Sequence, residues 1–353
     1  MLKRLLLLTV LFANLGIGVA FGQDISHNTF ESYPDDILAS LELRDSFLRS
    51  VPRTEPTQFG LEQVISTSKL WKPGSTVTVA IQGGDATLVR MIMDAAAAWT
   101  REGNLVLDFG FNPATGTFRQ WSNTDTVFVA DIRVGFNERG YWSLVGNDST
   151  DPTVASAGRA SLNLQQFNIR LPPNALAVAI HELGHALGFE HEHQHPQFGC
   201  DADFRWNDDA GYVPTRDIYR QFIQDPNGRR PGIYTVLGGP PNNWPRNKVD
   251  FNLRQLPDSR MFTLLPFDRF SIMKYFFEAW MFVGGSTSHC FTSAENILLS
   301  ANDKLAMRSV YPLAAPSVQL MLQKRRSDLE ILLAAPLSPA ARQRFVHVLS
   351  ALE

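Results

Sequence analysis

Cysteine is almost missing. The 353 residues contain two, Cys200 and Cys290, which excludes cysteine-ligated zinc fingers and disulfide-dense miniature scaffolds. An excess of one charge sign is missing too: 32 Lys and Arg stand against 35 Asp and Glu, a formal net charge of −3. The basic footprint of a nucleic-acid-binding protein is therefore absent. Beyond Phe21 no apolar run reaches the roughly 18 residues of a membrane span. No repeat at a period of about 20–50 residues is visible. Hydrophobic residues make up 44% and charged residues 19%, an ordinary globular composition on a chain long enough for about two domains. What stands out instead is histidine: five of the eight fall between His181 and His195.

At the N-terminus, Lys3 and Arg4 precede an apolar run from Leu5 to Phe21, with Ala20 and Gly22 at the −3 and −1 positions of a cut before Gln23. A positive start, a short apolar centre and a small-residue exit describe a secretory signal peptide over 1–22, the rival being an uncleaved anchor. The expectation is a secreted or periplasmic protein with no stable span in the mature chain. Export permits a Cys200–Cys290 disulfide, the alternative being two buried thiols.

Residues 23–69 are polar and read as a propeptide or a plain extension. From Leu70 the texture changes. Thr76–Ile81 alternates as a strand, Ala86–Trp99 has helical spacing, and Leu105–Phe109, Thr126–Phe136 and Ala160–Phe167 read as further strands. Pro172 and Pro173 then stop the chain, and Asn174 is placed to cap a helix running to about Gly188. This alternation predicts an α/β unit with a twisted, mostly parallel sheet and two long helices. Residues 196–266, rich in Pro, Gly and Asn, predict an irregular lower part. A helix pattern returns over 296–311. The tail 316–353 reads as two helices, either packed on the body or free for a partner.

Residues 181–191 read HELGHALGFEH. On a helix at about 100° per residue, His185 falls about 40° from His181 and Glu182 about 100° from it, while Leu176, Ile180, Leu183 and Leu187 lie on the far side. One face seals a core and the other shows two imidazoles one turn apart. That spacing suits capture of one metal ion. Gly188 can end the helix at positive φ, letting the chain turn back and bring in His191. Glu182 is adjacent to the ligands but off their line, so it is placed to hold water at the metal. Three imidazoles with an open fourth position suit one catalytic Zn2+ per chain, although copper or nickel would bind the same nitrogens. Glu182 would act as general base in hydrolysis. His193 and His195 share no helical geometry with the site and read as solvent-facing or supporting residues.

The pattern HExxHxxGxxH resembles the metzincins, zinc endopeptidases with a methionine turn behind the metal. Ser271-Ile272-Met273-Lys274-Tyr275 looks like that turn. The resemblance makes Met273 the apolar floor under the histidines. It makes Tyr275 the tyrosine that, in astacins and serralysins, ligates zinc at rest and swings to the oxyanion. Ala130–Arg133 before Gly140–Ser143 looks like the sheet region of astacin-like proteases, with Ala160, Ser161, Leu162, Asn163 and Leu164 as the edge strand against which an extended substrate would lie. Gly188-Phe189, His191-Glu192, and Ser300 and Asp303 before Tyr311-Pro312 fit the same family. The continuation His193-Gln194-His195-Pro196 looks more like its microbial branch. The extension has no cysteine, so a thiolate cannot be a latent-state ligand. Calcium-binding Gly-Asp repeats are missing, and the insert around Pro231–Pro257 has no counterpart in the pattern.

The expectation is a secreted zinc endopeptidase acting on polypeptides, with a catalytic domain over 70–315 and its cleft between an upper part, 70–190, and a lower part, 191–315. The alternatives are a metal-binding, non-catalytic or adhesion-type protein on the same scaffold, and hydrolysis of a non-peptide amide. Oligomeric state, cleavage preference and the activating cut are not encoded in any pattern found.

Overall fold

The computed structural model describes residues 31–45, 63–258 and 262–352; the expected signal peptide and most of the extension lie outside them. In chain order the elements are α1 (Asp35–Asp45), β1 (Gln63–Ser66), β2 (Thr76–Ile81), α2 (Ala86–Thr100), β3 (Val106–Asp108), β4 (Ile132–Gly135), β5 (Tyr141–Ser143), β6 (Leu162–Leu164) and α3 (Ala175–Ala186). There follow β7 (Thr215–Arg216), β8 (Phe222–Ile223), α4 (Ile233–Gly238), α5 (Arg246–Leu253), β9 (Phe262–Leu265), α6 (Ala301–Val310), α7 (Ala315–Ala334) and α8 (Pro339–Ala351).

The central sheet has five strands in the order β3-β2-β4-β6-β5, parallel except for β5, which runs antiparallel to β6. Its β-branched residues Val77, Val79, Ile81, Ile132 and Val134 are buried in one core with Leu88, Ile92 and Trp99 of α2 and Ile180 and Leu183 of α3. Asp85 caps α2 by accepting from Thr87 N and Leu88 N. Trp99 ties the two helices together: its indole donates to Ile180 O at 2.8 Å and its ring stacks on Phe189 at 4.7 Å. The α/β expectation, with a mostly parallel sheet and two long helices, holds.

Three local expectations change. The edge strand expected at Ala160, Ser161, Leu162, Asn163 and Leu164 is not the edge. β5 returns from the β4–β6 connection and pairs Tyr141 with Leu164 and Ser143 with Leu162, so β6 is enclosed and wholly buried, and β5 is the outer strand. The strand expected over 126–136 shrinks to Ile132–Gly135. Val127 and Val129 have no partner layer and stay exposed, and the Asp131 carboxylate takes Thr78 N and Oγ1, both at 2.7 Å. The helix expected from 296 starts at Ala301, where Ser300 and Asp303 form a capping box.

The lower part is irregular, as expected, with its own core of Phe204, Ile233, Leu237, Val249, Phe277 and Phe282. Cys200 and Cys290, whose Cα atoms lie 5.6 Å apart, are joined by a disulfide within it. The tail packs on the body. Leu329, Leu332, Phe345 and Val348 form a cluster with Leu256 and Phe262, and the buried Arg325 donates to Leu70 O and Trp71 O at 2.6 and 2.8 Å. Among the described residues no helix is long and apolar enough to cross a membrane.

α1 is fastened to this body by buried charge. Arg44 lies 2.8 Å from Asp148, 2.7 Å from Asp151 and 2.7 Å from its neighbour Asp45. Lys69 joins at 3.1 Å from Asp148, and Arg344 of α8 at 2.6 Å from the same carboxylate. Asp148 is held far below the usual carboxylate range: burial alone would raise its pKa, but Arg44, Lys69 and Arg344 outweigh it.

Candidate metal centre

Helix α3 starts where Asn174 was expected to cap it, but the amide makes no cap bond and donates to Glu295 at 3.0 Å instead. The helix ends at Leu187, and Gly188 turns the chain at φ +104°. A Cβ there would lie 2.8 Å from Leu70 Cδ2, the movable end of a side chain, so it is φ that calls for glycine. The reversal brings His191 back to the helix. His185 Nε2 stands 3.2 Å from His181 Nε2 and 3.0 Å from His191 Nε2.

The outer nitrogens explain the orientation. His181 Nδ1 faces Ile272 O at 2.6 Å, His185 Nδ1 faces Phe189 O at 2.7 Å and His191 Nδ1 faces Gln194 Oε1 at 3.3 Å. Each acceptor fixes its Nδ1 as the protonated nitrogen and leaves the Nε2 lone pairs turned toward one another. Three converging lone pairs repel unless a cation lies between them. Tetrahedral coordination with bonds of about 2.0–2.1 Å separates donors by about 3.3 Å, so the set fits zinc.

Sequence reasoning missed a fourth member. Glu31, in the extension, points its carboxylate at the same place: Oε2 is 2.9 Å from His181 Nε2 and 3.0 Å from His191 Nε2, and Oε1 is 3.4 Å from His185 Nε2. These four residues offer ligand atoms all within 4.8 Å of one another. Burial alone would raise the Glu31 pKa, but His185 and His191 beside it hold it well below the ordinary range. In return Glu31 raises the pKa of His185 against burial, whereas burial dominates at His191 and pushes it down to about 4. Nothing in the spacing of the extension flags Glu31; it lies 150 residues before His181.

Glu182 lines a cavity of about 140 Å³ with Glu31, His181, Tyr275 and Asn174. It is 1% exposed and its Oε2 has no hydrogen-bond partner. Burial, reinforced by the Glu31 charge, raises its pKa well above the ordinary value. Tyr275 lies with its ring 4.3 Å from His191, and its hydroxyl donates to Glu31 O at 3.1 Å. Burial first, then Glu31 and Glu182, keep that hydroxyl protonated.

Met273 is fully buried behind the helix. Its N–H donates to Ser271 Oγ and its carbonyl accepts Glu192 N, both at 3.0 Å. Gly184, inside the histidine helix, is the second residue missed, although a glycine in a helix interior is itself a signal of close packing. A Cβ there would lie 2.4 Å from Met273 Sδ and 2.8 Å from Trp99 Cζ2. Gly184→Ala therefore costs about 1–3 kcal/mol of stability by overpacking, more than the helix-propensity gain of about 1 kcal/mol returns. Denaturant unfolding of the variant checks this; an unchanged midpoint would mean that Met273 moves freely.

His193 and His195 are not solvent-facing. Both are buried, His193 against Asn252 O at 2.9 Å and His195 against Leu265 O at 2.6 Å, and neither joins the converging nitrogens.

No family model matches the sequence, and no curated protein does. Among solved structures, "Structure of myroilysin" aligns with a TM-score of 0.51 and 24% identity, over 71% of this chain and 99% of that one. "High choriolytic enzyme 1", described as a hatching enzyme zinc-protease from the medaka fish Oryzias latipes, aligns at a TM-score of 0.39 and 17% identity, over 70% of this chain and 96% of that one. The fold built around the three histidines is thus the one this chain shares with myroilysin.

Proposed function

We propose that the chain is an exported zinc endopeptidase of the astacin-like metzincin type, held latent by its own N-terminal extension. The observation that carries this reading is the convergence of three imidazole Nε2 atoms beside a buried carboxylate with one unpartnered oxygen. His181, His185 and His191 would hold one zinc ion, which supplies a water of lowered pKa and polarises a carbonyl when bound. Glu182 accepts the proton of the attacking water at Oε2 and passes it to the leaving amine. Its burial suits this work, because desolvation, then the Glu31 charge, raise its pKa above the ordinary carboxylate value and make it the stronger proton acceptor. Tyr275 keeps its hydroxyl proton and offers it to the oxygen that gains charge. Strand β5 is the free sheet edge on which an extended peptide would pair.

Glu31 occupies the place where water and substrate must enter, so the form with the extension seated is inactive. Removing the extension exposes the site. The test uses the full chain, loaded with zinc, before and after limited proteolysis of the extension. Casein hydrolysis appears on proteolysis, disappears with a chelator and returns with added zinc. A cut, zinc-loaded protein that leaves casein and gelatin intact overturns the peptidase reading. Within the uncut chain, Glu31→Gln raises basal hydrolysis by about tenfold or more. A charge-assisted contact of about 1.5–3 kcal/mol is lost from the plug, while its other anchors remain. Unchanged basal activity would show that Glu31 does not block the site.

A further inference from the structure

The insert between Pro231 and Pro257 has no counterpart in the metzincin pattern, yet it builds one wall of the cleft. Its helix α5 is tied to the turn after the third histidine: Gln194 Nε2 donates to Phe251 O at 2.8 Å and Arg254 O at 3.0 Å, and His193 meets Asn252 O. Across from α5 runs the edge strand β5. The extension passes between them, and Tyr33 is seated there. Its hydroxyl donates to Ser143 O at 2.8 Å. Its ring meets Trp142 and Phe251 edge-on, each at 6.2 Å between centroids. Lys248 of α5 then takes Tyr33 O at 3.0 Å and the Asp35 carboxylate at 2.6 Å. Asp35 itself is 84% exposed at the side chain, so the mouth of this seat opens to solvent. A space of about 380 Å³ adjoins it between Glu138–Gly140 and Trp244–Lys248.

We propose that the seat of Tyr33 is a substrate subsite, walled by Trp142 and Phe251 and floored by Ser143 O, that selects a hydroxylated aromatic side chain two residues from the one at the metal position, with Lys248 at its mouth selecting a carboxylate. The inference rests on the peptidase reading. Extension and substrate compete for one cleft, and Glu31 marks the position of the reacting centre within it. A chain crossing that centre on the α5 side must run between β5 and α5. The seat there is lined by aromatic faces and edges, which favours an aromatic ring over an aliphatic side chain. Its floor is a backbone carbonyl, which tyrosine satisfies and phenylalanine leaves unpaired. Lys248 is fixed at the rim, where its ammonium also lies 6.0 Å from the Trp244 ring, and it offers the cation there to a carboxylate.

The test uses protein folded as the full chain, cleaved within the extension and separated from it in mild denaturant, the loss of residues 31–45 being confirmed by mass spectrometry. A labelled peptide with the sequence of residues 31–36, ESYPDD, is titrated by fluorescence anisotropy, without metal and with one equivalent of zinc. Replacing its tyrosine with alanine weakens binding by about 10–100-fold, and with phenylalanine by about fivefold. Replacing the first aspartate with alanine costs about threefold, and this last effect vanishes in Lys248→Met protein while the tyrosine preference stays. Quenched peptide substrates carrying Tyr, Phe or Ala two residues to either side of the scissile bond give the same order in kcat/KM on one side. Equal affinity for the Tyr, Phe and Ala peptides, or no binding of any of them, overturns the subsite. The binding order without hydrolysis of any peptide leaves the subsite standing and overturns the peptidase reading instead.

Discussion

Glu182→Gln retains one zinc per chain and loses peptide hydrolysis by about 10²–10⁴-fold, the range for removal of a general base. The proposed metal ligands are untouched, since Ile272 O, Phe189 O and Gln194 Oε1 set their orientation and Glu182 does not. Glutamine keeps the shape of the side chain and cannot accept the proton of water. Stability moves the other way. Glu182 is a buried carboxylate with an unpartnered oxygen near the Glu31 charge, so its ionised form is costly to keep in the fold. The neutral amide removes that cost, and the variant unfolds at an equal or higher denaturant concentration. Loss of activity combined with equal or greater stability is the signature of a residue kept for chemistry. Elemental analysis, turnover on a quenched peptide and denaturant unfolding of the same preparation measure all three. A variant with full turnover would remove Glu182 from the mechanism, and one without zinc would make it a structural prop of the site.

How much of this is legible in the sequence follows from the range over which each feature is determined. The relation of His181, His185 and Glu182 is set by helix geometry within one turn, and Gly188 adds only a local reversal, so residues 181–191 alone carry the arrangement. The strand Thr76–Ile81 and the helix after it are legible for the same reason: each has a strong period, and the helix has a local cap. Edge position is different. β5 and β6 are three residues each, and which of them lies outermost depends on the pairing of Tyr141 with Leu164, which no local pattern encodes. Thr126–Asp131 carries a strand pattern, but Val127 and Val129 stay exposed and Asp131 spends its carboxylate on Thr78, so the segment joins no ladder. Glu31 and Tyr33 are the extreme case. They matter only because α1 is pinned by Arg44 to Asp148 and Asp151 more than a hundred residues away, which carries the preceding segment across the cleft. Met273 lies between these limits: its motif marks it, but the reason for Gly184 opposite it needs the packing itself.

The buttress of the methionine turn is where a substitution costs most in stability. Asp303 Oδ1 accepts Ser271 Oγ at 2.6 Å, and Oδ2 accepts Ile272 N at 3.0 Å and Ser300 N at 2.7 Å. One carboxylate thus joins the cap of α6 to the two residues before Met273. Asp303→Ala leaves these donors unmatched in a buried place, at about 1–3 kcal/mol each before relaxation, so a loss of about 3–5 kcal/mol follows. The loss depends on pH. Burial raises the Asp303 pKa from 3.8 to about 6, against the three donors that pull it down. Because the folded value stands above the unfolded one, the group's stabilisation is complete below 3.8 and is lost as pH rises through about 6. Wild type and Asp303→Ala therefore differ most below pH 3.8, less at pH 5 and least above about 6, with about 1.4 kcal/mol at stake for each pH interval of one between the two pKa values. Guanidinium unfolding of both proteins at pH 5 and 7.5 reads the difference directly. A gap below about 1 kcal/mol at pH 5, or one that widens toward pH 7.5, would show that water or a rearranged turn satisfies the three donors without Asp303.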